Sequence, residues 1–185
     1  MTNQTVILNY KNFYVEKESI EKIKNLISDI KYHDHSLDSG GEKNYRYCEL
    51  AFPSHYSYYP EIFDMIDGYF NHINNDYFQF DLSGKIEIQV LRYNVGGKYK
   101  WHCDYGNHEN DSSIRKLSMS LQLSEPSEYE GGNLELIDMY GHFLKMDKKI
   151  GSAMMFTSKT PHMAHPVTKG TRLVLVAWAH GPQFK

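Results

Sequence analysis

The chain has 185 residues, of which 41% are apolar and 23% charged, close to the averages for globular proteins. This composition excludes collagen-like, low-complexity and largely disordered chains. Twenty basic and twenty-three acidic side chains give a formal charge of −3. Because phosphate backbones select basic surfaces, this balance argues against general nucleic-acid binding, and we expect no nucleic-acid partner.

Cysteine content and hydropathy indicate the expected compartment. The two cysteines, Cys48 and Cys103, are too few for a disulfide framework, and the first residues lack the basic and apolar regions of a signal peptide. No stretch approaches eighteen uninterrupted apolar residues, so we expect no membrane span and no membrane partner. These features predict a cytoplasmic protein in a reducing setting.

Two helices are predicted in the first part of the chain. Isoleucines recur at helical spacing between residues 15 and 31, with Glu and Lys on the other face. The next segment, residues 32–48, is polar and contains a Gly-Gly pair, which is typical of a loop or a loosely held hairpin and makes it a candidate lid. Pro60 marks the start of a second helical pattern, which we expect to end near residues 74–75.

From residue 85 the hydrophobic period changes to about two residues, and turn signals recur at short intervals. The predicted strands are 85–94, 98–104, 115–123, 133–138, 142–146, 152–157, 161–166 and 171–180. This pattern predicts a mainly β fold with N-terminal helices, a double-stranded β-helix (jelly-roll) barrel braced by two α-helices. Without a linker or repeat, we expect a single domain over 1–185, with helical support over about 1–80 and the barrel core over about 85–180.

His102 and Asp104 follow a Gly-Gly turn and an aromatic run. On a strand, residues two apart project to the same face, so we expect this imidazole and this carboxylate to converge and Cys103 to point away. A further histidine, His162 or His165, lies about sixty residues downstream. Two histidines and one carboxylate that leave coordination positions open form the facial triad of non-haem Fe(II) oxygenases.

Arg172 predicts an anion-binding site inside the barrel. On the strand predicted over 171–180 it shares a face with Val174, Val176 and Trp178, which places a guanidinium in an otherwise apolar interior. A buried guanidinium needs an anion, and beside an iron site a dicarboxylate gripped by a bidentate fork is the natural guest.

Three segments carry a resemblance to a known family: LRYNVGGKYKWHCDYG, YEGGNLEL and MMFTSKTPHMAHPVTKGTRLVLVAW. Together they resemble the 2-oxoglutarate/Fe(II)-dependent dioxygenases, and within them the prolyl 4-hydroxylase-like group, over about residues 85–180. The resemblance implies that Fe(II) is bound by His102, Asp104 and His162. It implies that Arg172 holds the distal carboxylate of 2-oxoglutarate. The other co-substrate positions that it implies are Tyr93, Tyr99, Leu134 and Trp178.

Three residues depart from the family pattern, and none of them is a ligand. Ala164 stands where the family usually has valine, which enlarges the space beside the iron. Gln122 occupies a strand position where some relatives place a tyrosine toward 2-oxoglutarate. Trp101 replaces the commoner proline or arginine and is expected only to pack.

The resemblance implies an enzyme that hydroxylates a peptidyl residue, proline first, while 2-oxoglutarate is decarboxylated to succinate and CO2. Its cofactors are Fe(II), 2-oxoglutarate as co-substrate and dioxygen, with ascorbate as the reductant that restores ferrous iron. Because Asp104 is retained, where related halogenases have a small residue, hydroxylation is favoured over halogenation. Two alternatives stay open, namely the same chemistry on a free amino acid or other small molecule, and a non-catalytic jelly-roll module for binding or structure.

Other residues capable of chemistry receive plainer interpretations. A metal-like triplet in the polar segment, 33–35, is interpreted as a solvated or lid sequence, and a packing role is preferred for Cys103. Three histidines are expected to face solvent or to complete strand-end hydrogen bonds, namely His108, His142 and His180. The tyrosines that precede the barrel are interpreted first as surface packing, with substrate contact as the alternative, namely Tyr45, Tyr47, Tyr56, Tyr58 and Tyr59.

Overall fold

The computed structural model describes residues 9–39, 42–52, 59–105 and 113–183. In these parts of the chain a mainly β architecture with two α-helices confirms the predicted fold class. None of the described helices combines the length and the apolar character that a bilayer crossing requires.

Helix α1 spans Lys17–Leu26 and is shorter at both ends than the predicted 15–31. Its buried face carries Ile20 and Ile23, in agreement with the helical spacing of the isoleucines. The helix ends where the backbone of Ile27 turns to ψ 4°, which leaves the helical region.

Helix α2 spans Pro60–Ile73 and begins with a proline, whose missing N–H is not needed in the first turn. One π-helical turn, Asn74–Phe78, continues it beyond the predicted end. The Asn74 side chain fixes the exit of this turn, because its amide donates to the Phe80 carbonyl at 2.9 Å and its oxygen accepts from the Phe80 N–H at 2.9 Å.

The strands follow one another in the described parts of the chain as β1 Tyr10–Tyr14, β2 His33–Asp34, β3 Leu37–Ser39, β4 Glu42–Tyr47, β5 Glu49–Ala51, β6 Ile86–Tyr93, β7 Lys98–His102, β8 Ile114–Gln122, β9 Tyr129–Gly131, β10 Leu134–Ile137, β11 Phe143–Lys145, β12 Ser152–Thr157, β13 His162–Ala164, β14 Val167–Gly170 and β15 Arg172–Gly181. A major sheet has the order β1-β12-β8-β15-β6-β5-β2, and a minor sheet has the order β11-β10-β13-β7-β4-β3. Strands β9 and β14 form a separate ribbon. The strand pairs are antiparallel, which suits a jelly roll.

The predicted strands correspond to β6, β7, β8, β10, β11, β12, β13 and β15, with ends that differ by a few residues. The largest difference is at the predicted strand 161–166, which ends at Ala164 before the chain passes through Pro166 into the ribbon. The polar segment 32–48 contains paired strands, which confirms the hairpin of the two predicted alternatives, and Leu37 of β3 pairs with Arg46 of β4. Strand β1, which pairs with β12, was not predicted.

Strand β15 lies in the middle of the major sheet and separates the helices from the interior of the barrel. Leu175 and Ala177 join the apolar cluster that contains both helices. Val174 and Val176 project from the opposite face toward the minor sheet. This alternation, expected for a strand, places Arg172 and Trp178 inside the barrel.

Candidate metal centre

His102 and His162 lie directly opposite each other where β7 pairs with β13. Their Nε2 atoms lie 3.6 Å and 3.5 Å from the two carboxylate oxygens of Asp104. One ligand atom from each residue falls within 4.8 Å of the others. The structure therefore brings the three predicted metal ligands together.

Asp104 reaches this centre by a route that differs from the prediction. Strand β7 ends at His102, so the convergence does not come from strand alternation over 98–104. Instead, the backbone N–H groups of Asp104 and Tyr105 both donate to the Ser158 carbonyl, at 2.9 Å and 3.0 Å. This turn directs the carboxylate back toward the imidazoles.

Backbone carbonyls orient both imidazoles. The Nδ1 atom of His102 donates to the Lys100 carbonyl at 2.7 Å, and that of His162 donates to the Thr160 carbonyl at 2.9 Å. Because a carbonyl oxygen only accepts hydrogen bonds, each Nδ1 carries a proton, and in the neutral ring the lone pair then lies on Nε2. Outer contacts of this kind hold ligating histidines in one tautomer and orientation.

The electrostatic environment keeps the donor set ready for a cation. Burial, together with the neighbouring His162, lowers the pKa of His102 to about 3, so this imidazole is neutral at pH 7. Burial raises the pKa of Asp104, but His162 and His102, together with hydrogen bonds from Trp178 and Ser118, leave its pKa below the usual value. Two imidazole nitrogens and one carboxylate suit Fe(II), so these residues fit the implied metal.

A cavity of about 170 Å³ extends from this centre between the two sheets. All the predicted site residues line it, namely His102, Asp104, His162, Arg172, Tyr93, Tyr99, Leu134 and Trp178. His165, the alternative third ligand, does not line it, because its Nε2 lies 2.9 Å from a Glu135 carboxylate oxygen on the outside.

Arg172 is buried in the cavity wall, and no carboxylate is among the partners described for it. Its Nε donates to Gln122 Oε1 at 3.1 Å, and its guanidinium lies 5.7 Å from the ring centre of Tyr93. Burial raises the pKa of the Tyr93 phenol, which therefore stays a hydrogen-bond donor. A buried guanidinium beside a phenol fits a carboxylate of the implied co-substrate.

The predicted Gly-Gly strand start supports the Arg172 side chain. Gly132 has φ +60°, and a Cβ atom there would lie 2.9 Å from Val167 and 3.2 Å from Arg172 Cδ. Only glycine leaves this space for the stem of the arginine, so the glycine contributes to the position of the guanidinium.

Five polar or charged cavity residues were not singled out as site residues from the sequence: His35, Arg46, Gln89, Arg115 and Ser120. Arg46 reaches the cavity because β4 pairs with β7, which sets Arg46 opposite Tyr99. A weak period-two signal could have found it, since Arg46, Cys48 and Leu50 are buried in alternation. His33 and Asp34 are exposed, as the interpretation of 33–35 as solvated predicts, but His35 lines the cavity.

Other expectations have mixed outcomes. Cys103 is exposed, so the preferred packing role is wrong, although its Sγ points to the Lys159 carbonyl and away from the cavity. His142 is exposed and contacts Asp138, whereas His180 is buried and lies 3.0 Å from Glu87. Trp101 packs against Phe143. Three residues lie outside the described parts of the chain: Tyr56, Tyr58 and His108.

Comparison with known proteins gives a family match over the barrel. A family model described as the 2OG-Fe(II) oxygenase superfamily matches residues 88–180. A PKHD-type hydroxylase of Stenotrophomonas maltophilia (strain R551-3) is 38% identical over 91 residues, which cover 47% of this chain and 40% of that protein. The chain thus matches about two fifths of the length of such curated relatives.

Two solved structures are similar over nearly the whole chain. A prolyl-4-hydroxylase of Pseudomonas putida has a TM-score of 0.74 and 17% identity, covering 95% of this chain and 94% of its own. A prolyl hydroxylase of Trichoplax adhaerens, in complex with a peptide fragment of the hypoxia inducible factor oxygen degradation domain, has a TM-score of 0.73 and 16% identity, covering 96% and 86%. At these identities the likeness establishes the shared fold.

Proposed function

The chain belongs to the 2OG-Fe(II) oxygenase superfamily, and on that premise we propose that it hydroxylates a peptidyl residue, proline first. One observation carries this proposal: the two histidines, the aspartate and a buried arginine converge in a single cavity. The hydroxylase names of its relatives and the peptide bound to the Trichoplax adhaerens enzyme support the reaction and the substrate class.

In this proposal His102, Asp104 and His162 hold Fe(II) through Nε2, a carboxylate oxygen and Nε2. When bound, iron, 2-oxoglutarate and dioxygen supply the oxidising chemistry that inserts a hydroxyl group and releases succinate and CO2. The backbone carbonyls of Lys100 and Thr160 keep both imidazoles aimed at the metal.

Arg172 receives the distal carboxylate of 2-oxoglutarate in this proposal. Gln122 accepts from its Nε at 3.1 Å and Tyr129 also hydrogen-bonds to Arg172, so the carboxylate would be bound by the remaining N–H groups of the guanidinium. The phenol of Tyr93 donates a further hydrogen bond from the cavity wall. Leu134 and Trp178 are almost fully buried and exclude water from the same space.

The proposal is tested by anaerobic titration of the metal-free protein with Fe(II) and then 2-oxoglutarate, with the visible charge-transfer band of the chelate as the readout. We expect the band in wild type, its loss in His162→Ala, and weaker 2-oxoglutarate binding in Arg172→Ala. His165→Ala is the matched control, since this histidine lies on the same segment but outside the cavity. Absence of the band in wild type would refute the proposal.

The substrate class is tested separately by succinate formation in the presence of ascorbate. We expect proline-containing peptides to stimulate succinate formation more than free amino acids do. Stimulation by small metabolites alone would overturn the peptidyl assignment and leave the reaction class intact.

A further inference from the structure

Arg46 is a second buried guanidinium in the cavity, and it lies outside the segment matched by the family model. Only 8% of the Arg46 surface is exposed to solvent. Its Nε contacts Cys48 Sγ at 3.3 Å, and one terminal nitrogen contacts Gln89 Oε1 at 3.5 Å. Among the described residues no carboxylate lies within ion-pair distance of Arg46, so its charge is buried beside neutral groups only.

The other charges of the cavity are balanced without Arg46. Arg115 is neutralised by Glu87, whose oxygen lies 2.5 Å from a terminal nitrogen of the guanidinium. In the proposed complex, the charges of Fe(II) and Arg172 are balanced by Asp104 and the two carboxylates of 2-oxoglutarate. Since an unpaired buried charge is costly, the remaining cation of Arg46 calls for an anion that arrives with the substrate.

Arg46 lies close to the metal centre. Its guanidinium is 5.0 Å from the ring centre of Tyr99, and that ring stacks on the imidazole of His102 with 3.4 Å between ring centres. A single aromatic ring therefore contacts both the guanidinium and a metal-ligating residue. An anion held by Arg46 would anchor a substrate within a few bonds of the reacting carbon.

The wall around Arg46 offers further polar contacts. Gln89 lines the cavity, and its amide nitrogen can donate in addition to the oxygen that already accepts from Arg46. His35 also lines the cavity, and its buried Nδ1 has no hydrogen-bond partner within the described parts of the chain. These groups, together with the planar fork of Arg46, suit a carboxylate.

We propose that Arg46 binds a carboxylate of the substrate, so that the enzyme selects acids over their neutral amides. This inference rests on the proposed function for the reaction, and it adds the chemistry of the group beside the hydroxylated carbon. The carboxylate can belong to a free amino acid or to an acidic residue of a peptide, and the experiment distinguishes these sources.

The experiment uses the full chain loaded with Zn(II), in place of Fe(II), and with 2-oxoglutarate. The probes are N-acetylproline and its amide, and two capped peptides in which aspartate or asparagine follows proline. Binding is followed through the Nε–H signals of the arginine side chains by NMR, with the Arg46 signal identified by its absence in Arg46→Lys. We expect at least one acid to bind about tenfold more tightly than its amide and to move the Arg46 signal.

The variants separate the role of Arg46 from general effects. We expect Arg46→Gln to reduce the preference for the acid to within about twofold, and Arg46→Lys to retain part of it. Arg92→Gln is the matched control, because Arg92 pairs with Glu49 on the neighbouring β5 and does not line the cavity. If Arg46→Gln does not fold, the movement of the Arg46 signal in wild type decides the question.

Equal binding of acid and amide, no binding of any acid, or an unchanged preference in Arg46→Gln would overturn the inference. Binding of N-acetylproline identifies a small acid, and binding of the aspartate peptide identifies a peptide. The iron chelate band, measured on the same preparation, reports the proposed function independently. A normal band with no acid preference removes only the role of Arg46.

Discussion

Glu87 joins two basic groups beside the cavity, the partly exposed Arg115 and the buried His180. Its carboxylate oxygens lie 2.5 Å from a terminal nitrogen of Arg115 and 3.0 Å from Nε2 of His180. The guanidinium of Arg115 in turn lies 3.9 Å from the ring centre of Trp178. A cation over an indole face is attracted by the ring, so Glu87 helps hold Trp178 in the cavity wall.

This contact predicts a specific dependence of stability on pH. Contact with His180 lowers the pKa of Glu87, burial raises it, and Arg115 lowers it further, to about 2 from an ordinary value of 4.5. Because the folded-state pKa is the lower one, the stabilisation is complete above pH 4.5 and is lost as the pH falls toward 2. After allowance for partial exposure, we expect Glu87→Gln to lower the free energy of unfolding by about 1–2 kcal/mol at pH 7.

Urea denaturation at pH 7, 5 and 3 measures this difference. We expect the gap between wild type and Glu87→Gln to be similar at pH 7 and 5 and much smaller at pH 3. Glu130→Gln, an exposed glutamate that contacts Lys169, controls for the loss of one negative charge. A gap that stays constant down to pH 3 would show that Glu87 does not stabilise the fold through its charge.

The site residues that were predictable carry their chemistry in local motifs. The histidine and aspartate of His102-x-Asp104 are close in sequence, and Arg172 follows His162 by ten positions on the next long strand. Arg46 belongs to no chemical motif and gives only a weak period-two burial signal, and its approach to Tyr99 comes through the pairing of β4 with β7. Its role depends on a contact between residues far apart in the chain, which local patterns do not contain.

At the scale of elements, β15 was predictable from its local pattern, whereas β1 depends on pairing with a distant strand. Strand β15 alternates between two buried faces and is long, so its pattern is visible in the sequence. Strand β1 is partly exposed at the edge of the major sheet, and it forms because Tyr10–Tyr14 pairs with the distant β12. Edge strands of this kind depend on their partner more than on their own composition.

The ribbon of β9 and β14 requires glycine at position 131 for two reasons, namely its left-handed backbone and the lack of space for a side chain. Gly131 has φ +72°, and a Cβ atom there would lie 2.4 Å from the Pro166 carbonyl oxygen. Gly141 has φ +84°, but a Cβ atom there would have nothing within 4 Å. The two glycines therefore share the backbone requirement and differ in the space around them.

Alanine at the two positions separates these effects. We expect Gly141→Ala to lower the free energy of unfolding by about 1 kcal/mol, since only the left-handed backbone is penalised. Gly131→Ala adds a clash with backbone, so we expect a loss of about 3 kcal/mol. Urea denaturation of both variants provides the comparison, and equal losses would mean that the ribbon moves aside at no cost.

At the scale of the whole molecule, the helices and the barrel share one core. Buried residues of both helices and of the major sheet belong to one continuous apolar cluster, which includes Ile23, Ile66, Phe70, Leu121 and Leu175. Neither helix buries this face on its own, so each depends on the sheet for its stability. We therefore propose that the helical support and the barrel form a single domain that unfolds as one unit.

Two spectroscopic probes test this proposal, because both tryptophans, Trp101 and Trp178, lie on barrel strands. Tryptophan fluorescence follows the barrel, while far-ultraviolet circular dichroism at the helical minimum is sensitive to the helices. We expect coincident urea transitions for wild type. We expect Ile66→Ala to shift both transitions equally, with a loss of about 3 kcal/mol, because the cavity lies in the shared core. A shift confined to the helical signal would instead identify the helices as a separately unfolding unit, and the barrel would then keep its metal centre without them.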